Sequence, residues 1–172
     1  EKIYSDCWWY KLKAGKSVYG IFWNPRKNNG LGDIEIKQID ILNLFWEPGI
    51  KDIQKSKNIF HVELMDNDTL ISLYPQLSGK LGNGGMEISK YVYDDTVDTS
   101  EKSAVVDRYY KITRNGVETV HYCKFCNGEL LYASENDPYY KESGFYDHGK
   151  YPFVFDTLFV EEGTPCGFGY ID

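Results

Sequence analysis

The chain has 172 residues, a length typical of one domain, and 19 basic against 26 acidic residues give it a net charge of −7. A chain with a net negative charge is repelled by phosphate backbones and anionic lipid. The charge therefore argues against a protein that binds nucleic acid or a membrane surface. No apolar run approaches the roughly 20 residues of a membrane helix. Aromatic residues make up 16% of the sequence, and because they favour strands the composition predicts a mainly β fold.

The N-terminal residues and the cysteine content do not suggest a secreted protein. Glu1–Tyr10 is aromatic and polar and lacks the pattern of a secretory signal. Four cysteines without such a signal do not suggest a disulfide scaffold. The sequence also lacks an initiator Met, so we expect it to be a fragment or a processed product of a longer chain.

Two alternating apolar stretches near the N-terminus predict a β-hairpin. Trp8–Leu12 and Val18–Trp23 flank Gly15-Lys16, a pair that suits a two-residue type II′ turn. That register would place Trp8 opposite Trp23. It puts six large side chains on one face, which we interpret as core: Trp8, Tyr10, Leu12, Tyr19, Ile21 and Trp23.

Loop and strand signals alternate over the next part of the chain. Residues 24–32 are dense in Asn, Pro and Gly, which predicts a loop. Apolar residues then alternate through Asp33–Trp46 but change parity near Lys37-Gln38, which indicates a β-bulge or a bend. Asn58–Leu64 predicts a further strand.

A short helix is predicted after that strand. Asp66–Asp68 offers N-cap residues for a helix over Thr69–Tyr74, and Pro75 would end it. The glycine-rich segment 77–87 and the acidic segment 94–103 are predicted to be flexible.

The strongest local signals define a meander. Asn115-Gly116 and Asn127-Gly128 are typical of type I′ hairpin turns, whose two-residue loops fix the register. The meander comprises Ala104–Thr113, Val117–Cys126 and Glu129–Ser134. We predict that its core face carries Val106, Tyr110, Ile112, Cys123, Phe125, Leu130 and Tyr132.

The other face of the meander pairs Asp107 with Lys124 and Tyr109 with Tyr122. We interpret the Asp107–Lys124 pair as a solvated surface pair worth roughly 0–1 kcal/mol.

The C-terminal part predicts a second short helix and a last strand. Asp137-Pro138 opens the helix with proline at its first position, and Gly144 can end it. Tyr151–Phe159 is an apolar strand, and residues 163–167 form a turn. The expected fold is one mainly β domain over residues 1–172, built from antiparallel sheets and a meander with two or three short helices.

Cys123 and Cys126 form a C-x-x-C that resembles half of a zinc site. If the strand is extended, however, their Cα atoms lie about 10 Å apart and their side chains face opposite ways. We interpret both as ordinary thiols, without disulfide or metal.

Two further segments resemble a phosphate-binding motif and a calcium-binding motif, but each lacks a residue that the motif requires. Gly15-Lys16-Ser17 matches the end of a P-loop, but Tyr10 stands where the motif needs glycine and a strand is expected to follow. Asp66–Asp68 resembles the start of a calcium loop, but Leu70 and Ile71 stand where that loop needs a ligand and a glycine.

No acid–base or nucleophile constellation stands out. The histidines His61, His121 and His148 are scattered, and adjacent carboxylates at Asp94-Asp95 and Glu161-Glu162 would point apart on a strand. We therefore predict no catalytic residue, no cofactor and no metal, and a protein that is not an enzyme.

Two stretches carry a resemblance to a known family. The first contains Trp23-Asn24-Pro25, Gly30–Ile36, Ile39-Asp40, Asn43, Phe45–Pro48, Asp52-Ile53 and Asn58–Phe60. The second contains Tyr146–Phe155 and Gly163–Asp172. Together they cover about two-fifths of the chain, and they resemble the wing region of portal proteins from tailed bacteriophages.

The resemblance implies a structural role in the virion. Portals are ring oligomers at one capsid vertex, assembled in the bacterial host cytoplasm, through which DNA is packaged and ejected. The implied partners are other portal subunits, capsid and scaffold proteins, the terminase and neck proteins. The family has no catalytic residues, and the acidic charge fits a conduit wall that does not bind DNA tightly.

Two other classes stay open at this point. The aromatic excess also suits a carbohydrate-binding or adhesion β module, which would display Trp8, Trp9, Trp23 or Trp46 on an exposed platform. A zinc-stabilised hydrolase-like domain would instead show a cleft lined by His121 and Cys123.

Overall fold

A computed structural model of the chain describes residues 2–81 and 101–170. The fold is mainly β with antiparallel sheets and three α-helices, as predicted. The chain forms two compact units. The first unit comprises Glu1–Ile41, Trp46–Lys57 and Lys150–Asp172, and the second comprises Leu42–Phe45 and Asn58–Gly149.

Three helices and ten strands follow one another along the described residues. In chain order they are α1 (Lys2–Ala14), β1 (Lys16–Asn24), β2 (Asp33–Ile39), β3 (Leu44–Trp46), β4 (Asn58–Asp66), α2 (Asn67–Leu73), β5 (Lys102–Arg114), β6 (Val117–Cys126), β7 (Glu129–Ala133), α3 (Tyr140–Ser143), β8 (Phe153–Thr157), β9 (Phe159–Val160) and β10 (Gly167–Phe168). None of the helices in the described ranges has the length and apolar character needed to cross a bilayer.

The predicted N-terminal hairpin is wrong, because residues 2–14 form helix α1. This segment contains neither Gly nor Pro, and Lys11 and Lys13 lie in its last turn, where cations favour the helix dipole. Gly15 has a φ of 72° and ends the helix in the left-handed conformation instead of starting a hairpin turn. Trp8 therefore does not pair with Trp23.

The sheet of the first unit has the order β2-β1-β8, all antiparallel. One face is core, where Val18 pairs with both Ile39 and Phe155 and packs beside Phe153. The register of β1 with β2 runs unbroken to Val18–Ile39. The predicted bulge or bend near Lys37-Gln38 is therefore wrong: β2 is regular there, and the parity changes because Ile34 and Ile36 lie on the exposed face of the strand and Ile39 on the buried face.

The sheet of the second unit has the order β3-β4-β5-β6-β7 and contains the predicted meander. Asn115 and Asn127 both have a φ of 52°, and Gly116 and Gly128 follow with φ of 80° and 81°. Positive φ at both central residues defines the type I′ turn, so the two strongest sequence signals are confirmed.

The predicted core face of the meander is wrong. The opposite face is the more deeply buried one, with Val105, Tyr109, Val120 and Cys126 all nearly inaccessible. On the predicted core face Leu130 is exposed, although Val106 and Cys123 are buried. The face that holds Val105 and Tyr109 is buried because other elements of the second unit cover it. Leu70 and Leu77 pack with Val105 and Cys126 at one end, and Phe145 stacks on Tyr122 further along.

A bulge changes the face on which the last residues of β7 lie. The register of β6 with β7 shifts between Lys124 and Phe125, so that Tyr132 pairs with Lys124 while Leu130 still pairs with Phe125. Tyr132 therefore lies on the same face as Tyr122, opposite to the predicted face, and its ring contacts Tyr122 and Phe145.

Both predicted short helices are present, although the second begins at Tyr140 and not, as predicted, with Pro138 at its first position. α2 follows an N-cap at Asp66 and ends just before Pro75. α3 is preceded by a turn in which the Tyr139 amide donates to the Asp137 carboxylate, and Gly144 ends it with a φ of 86°.

The predicted flexible segments are only partly described. Residues 82–100 lie outside the described residues. Leu77, the first residue of one predicted segment, is fully buried, and β5 already begins at Lys102, inside the other. The predicted strand Tyr151–Phe159 is divided at Leu158 into β8 and β9.

Candidate functional site

The most unusual feature of the first unit is an exposed apolar strip on its sheet. Ile21 of β1 pairs directly with Ile36 of β2, and Trp23 pairs with Ile34. All four side chains are exposed, and Trp23 has 62% of its surface accessible. We call these four residues the tip surface. A contiguous apolar patch of this kind on a protein surface is typical of an interaction site.

Helix α1 covers only the other end of the same sheet face. Its buried Cys7 lies beside Tyr19, and Lys11 donates to Asp156 of β8 at 2.5 Å. Burial, and then the neighbouring Cys7, raise the pKa of Tyr19 to about 12. Because Tyr19, Ile21 and Trp23 share one face, the helix shields the first of them and leaves the tip surface bare.

The tryptophans are mostly exposed, so their interpretation as core is wrong. Trp8 and Trp9 lie on the solvent-facing side of α1, and Trp23 lies in the tip surface. Trp46 is half-buried, with its ring edge-to-face on Phe155 at 5.3 Å. Trp23 was predicted to pack against Trp8 of a neighbouring strand. Because residues 2–14 form a helix, that strand does not exist and Trp23 stays exposed.

A second exposed apolar group lies on the β9–β10 hairpin. Phe159 pairs with Phe168 and its ring lies 5.4 Å from that of Tyr170; we call these three residues the C-terminal surface. Val160 is also exposed but pairs with Gly167, so it lies on the other face of the hairpin. The turn between the strands carries Glu161 and Glu162, both exposed. The predicted turn over residues 163–167 is part of this connection and leads into β10 at Gly167.

The sequence motifs lie apart from these surfaces. In the residues described, no group of three or more His, Cys, Asp or Glu side chains is arranged to hold a metal ion. Cys123 faces Arg108 on one side of the meander and Cys126 packs with Leu70 on the other, so the prediction that they point in opposite directions is confirmed. Gly15-Lys16-Ser17 joins α1 to β1 and is followed by a strand, and Asp66 is the residue immediately before α2. Asp94-Asp95 lies outside the described residues.

His121 and Ser134 form the one pair that resembles a catalytic arrangement among the described residues. His121 Nδ1 lies 3.1 Å from Ser134 Oγ, and Glu135 follows in sequence. Both side chains are fully buried, however, and Ser134 Oγ also accepts the Tyr122 amide. A nucleophile needs access to its substrate, so this pair ties β6 to the end of β7 and supports no hydrolase mechanism.

We expect His121 to make the protein less stable at mildly acidic pH. Burial lowers its pKa, the Arg114 charge acts in the same direction, and Glu135 and Glu142 oppose both. Nε2 has no hydrogen-bond partner in the described part of the chain. Because the unfolded histidine binds a proton near pH 6.5 and the folded one resists it, the free energy of unfolding falls as pH drops below about 6.5.

We expect His121→Gln to flatten this pH dependence when urea unfolding is measured between pH 7.5 and pH 5. The matched control is His148→Gln, because His148 is exposed and stacks on Tyr146. An equal slope in wild type and His121→Gln would contradict the assignment.

A carboxylate that the sequence analysis placed on the surface is buried in the second unit. Asp107 Oδ1 accepts from the Tyr122 hydroxyl at 2.6 Å and lies 3.2 Å from Lys124 Nζ, and Oδ2 lies 3.8 Å from His61. Asp107 is only 8% exposed, so its interpretation as part of a solvated surface pair is wrong.

The environment of Asp107 keeps it ionised. Burial by itself would raise the pKa of Asp107, but the contact with His61, the charge of Lys124 and the Tyr122 hydroxyl hold it below its ordinary value. Burial, and then the charge of the Asp107 carboxylate, raise the pKa of Tyr122 strongly. All four groups are engaged with one another, so the centre stabilises the fold and offers no free group for chemistry.

No protein-family model matches the chain, and no curated protein matches its sequence.

Proposed function

We propose that this chain is the wing-type region of a tailed-bacteriophage portal protein, a structural subunit of the ring at the capsid vertex. The observation that carries the proposal is the tip surface. Three of its four residues, Trp23, Ile34 and Ile36, belong to the stretch that resembles portal wings, and they form an exposed apolar strip suited to a subunit contact.

The charge is consistent with this function. DNA moves through a portal and must not bind its wall, and a chain with a net charge of −7 repels phosphate. The partners under this proposal are neighbouring portal subunits, capsid and scaffold proteins, the terminase and neck proteins. The protein would reside in the virion after assembly in the host cytoplasm and would catalyse no reaction.

Electron microscopy of the full-length chain that contains this sequence tests the proposal. We expect rings with a central channel when that chain is expressed alone in bacteria. Well-separated monomers or trimers would contradict it.

A carbohydrate-binding or adhesion module is the second candidate function. The observation in its favour is the exposure of Trp8, Trp9 and Trp23, since exposed tryptophan rings can stack on sugars. A glycan array probed with the chain separates the two functions. Binding that is lost in Trp9→Ala or Trp23→Ala would favour adhesion, and under the portal proposal we expect none.

A further inference from the structure

We propose that the outer edge of strand β2 binds an extended segment of a different protein, which adds to the three-stranded sheet as a fourth strand antiparallel to β2. The segment carries apolar side chains on the side of the tip surface. On its other side it carries an acidic residue and, four positions later, a basic one. This inference names the chemistry of a partner and does not depend on the portal proposal.

The register of the sheet directs main-chain groups of β2 outward. The Ile21 amide donates to Pro152 O at 2.8 Å, so Ile21 and its alternate neighbours in β1 bond towards β8. The residues between them bond towards β2, and their partners there are Asp33, Glu35, Lys37 and Ile39. The main-chain amides and carbonyls of Ile34, Ile36 and Gln38 therefore point away from the sheet. We call these three residues the β2 edge.

The β2 edge offers hydrogen-bonding groups that only a main chain matches in spacing. The Ile34 amide donates to Asp33 Oδ1 at 2.7 Å, but within the described ranges the amides of Ile36 and Gln38 and the carbonyls of all three residues have no partner strand. The edge is about 14 Å long, which suits a partner segment of about five residues. Alternating free amides and carbonyls are the requirement for strand addition.

Other outer edges of the described sheets are blocked or irregular. At the start of β8, the Gln54 side chain accepts from the Tyr151 amide at 2.8 Å and donates to the carbonyls of Tyr151 and Phe153. The pairing of β7 is interrupted by the bulge between Lys124 and Phe125, and a bulge twists an edge away from a partner. The β2 edge has neither device, because the register of β1 with β2 is unbroken.

The tip surface specifies apolar side chains on one side of the added strand. Ile34 and Ile36 are 59% and 45% exposed and point to the same face as Trp23. Side chains directly opposite them on an added strand would lie about 5 Å away and bury part of that apolar area. Because side chains alternate, the residues between these two lie on the other face.

The charges of that other face specify the rest of the segment. It carries Asp33, Glu35 and Lys37. Glu35 is shared by two ammonium groups, 3.6 Å from Lys27 Nζ and 3.5 Å from Lys37 Nζ, which leaves an excess positive charge beside Lys37. Asp33 is exposed at the beginning of the strand. An antiparallel segment therefore pairs opposite charges when its acidic residue comes first, opposite Lys37, and its basic residue lies opposite Asp33.

A second copy of the chain fits this edge less well than such a segment. Two β2 strands can pair antiparallel with Lys37 opposite Asp33, but that register places Glu35 directly opposite Glu35 of the second copy. Like charges opposite one another destabilise a strand pair. A different protein with an uncharged polar residue at the central position avoids this repulsion.

Two capped peptides of identical composition test the proposal. The first, Glu-Val-Thr-Val-Lys, has the matching charge order, and the second, Lys-Val-Thr-Val-Glu, has the reverse order. By NMR titration at low salt, we expect a dissociation constant below about 1 mM for the first and binding at least about tenfold weaker for the second. The amides of Ile36 and Gln38 should exchange faster than those of Glu35 and Lys37 in the free protein and should become protected by the first peptide.

Two substitutions locate the contact. Ile36→Pro removes an outward amide and leaves the bonds to β1 intact, since proline is tolerated where an edge amide faces solvent. It should abolish binding, whereas Ile36→Val, which keeps the amide, should bind within about threefold of the wild type. Lys37→Glu should reverse the preference between the peptides. Circular dichroism checks that each variant is folded.

Three results would overturn the inference. The first is equal binding of the two peptides or binding of neither below about 1 mM. The second is peptide binding that leaves the exchange of the Ile36 and Gln38 amides unchanged. The third is protection of these amides that rises with protein concentration in the absence of peptide, because a second copy would then hold the edge.

Discussion

Replacing Asp107 with asparagine is expected to lower the free energy of unfolding by about 3 kcal/mol, the loss typical of breaking a buried ion pair from one side. The substitution keeps the shape of the side chain but removes the charge that faces Lys124 at 3.2 Å. Lys124 is itself mostly shielded from water, so its ammonium loses the group that compensates its burial. Urea unfolding of both proteins at pH 7 measures the difference.

A double-mutant cycle separates the pair from its surroundings. Lys124→Met removes the uncompensated ammonium, so Asp107→Asn combined with Lys124→Met should be less destabilised than the sum of the single losses. The matched control is Glu118→Gln. Glu118 meets Lys111 at 2.6 Å but is exposed, so its loss should be at most about 1 kcal/mol. Equal losses at Asp107 and Glu118 would show that burial of Asp107 does not matter.

The depressed pKa of Asp107 adds a pH signature. Its contribution to stability is complete above about pH 3.9, the ordinary value of an unfolded aspartate, and is lost as the pH falls through the lower folded value. Asp107→Asn should therefore reduce the acid-induced loss of stability, and the reduction should be largest below that pH.

Replacing Gly15 with alanine is expected to cost at least about 3 kcal/mol, because positive φ and steric overlap both act against the new side chain. Gly15 has a φ of 72°, and a Cβ atom there would lie 2.0 Å from the carbonyl carbon of Phe168. That atom is backbone and cannot rotate away. Relief of the overlap requires β10 to move away from the end of α1.

Gly49 supplies the matched control for Gly15. Its φ is 76°, but nothing lies within 4 Å of a Cβ built on it, so Gly49→Ala meets only the left-handed strain of about 1–2 kcal/mol. The difference between the two variants measures the steric overlap alone. Similar losses at both positions would contradict the close approach of β10 to Gly15.

Hydrogen exchange locates the effect of Gly15→Ala. The Leu158 and Tyr170 amides donate to Gly15 and Leu12, so they should exchange faster when the β9–β10 hairpin moves.

The sequence determined the parts of the fold that depend on short-range backbone chemistry. Asn115-Gly116 and Asn127-Gly128 specify left-handed turns because their backbones adopt positive φ at low cost, and the turn length fixes the strand register. The end of α3 at Gly144, which has a φ of 86°, is local in the same way. The acidic, aromatic and mainly β character was also visible in the composition.

Only the tertiary structure decided how the N-terminal segment folds. Aromatic and apolar residues at positions 8, 10 and 12 fit a strand, but the run from residue 2 to 14 contains no Gly or Pro and equally suits a helix. Helix α1 packs Cys7 beside Tyr19 and places Lys11 against Asp156, contacts with residues distant in sequence. Such contacts outweigh propensity, which is a weak prior over a short segment.

Burial was likewise decided by residues far apart in the chain. Both faces of the meander are rich in apolar and aromatic residues, so alternation cannot say which face is core. Leu70, Leu77 and Phe145 cover the face that holds Asp107, and a bulge after Lys124 turns Tyr132 towards it. The exposure of Trp23 has the same origin. A strand pattern identifies two faces, but whether either is buried depends on what the rest of the chain packs against it.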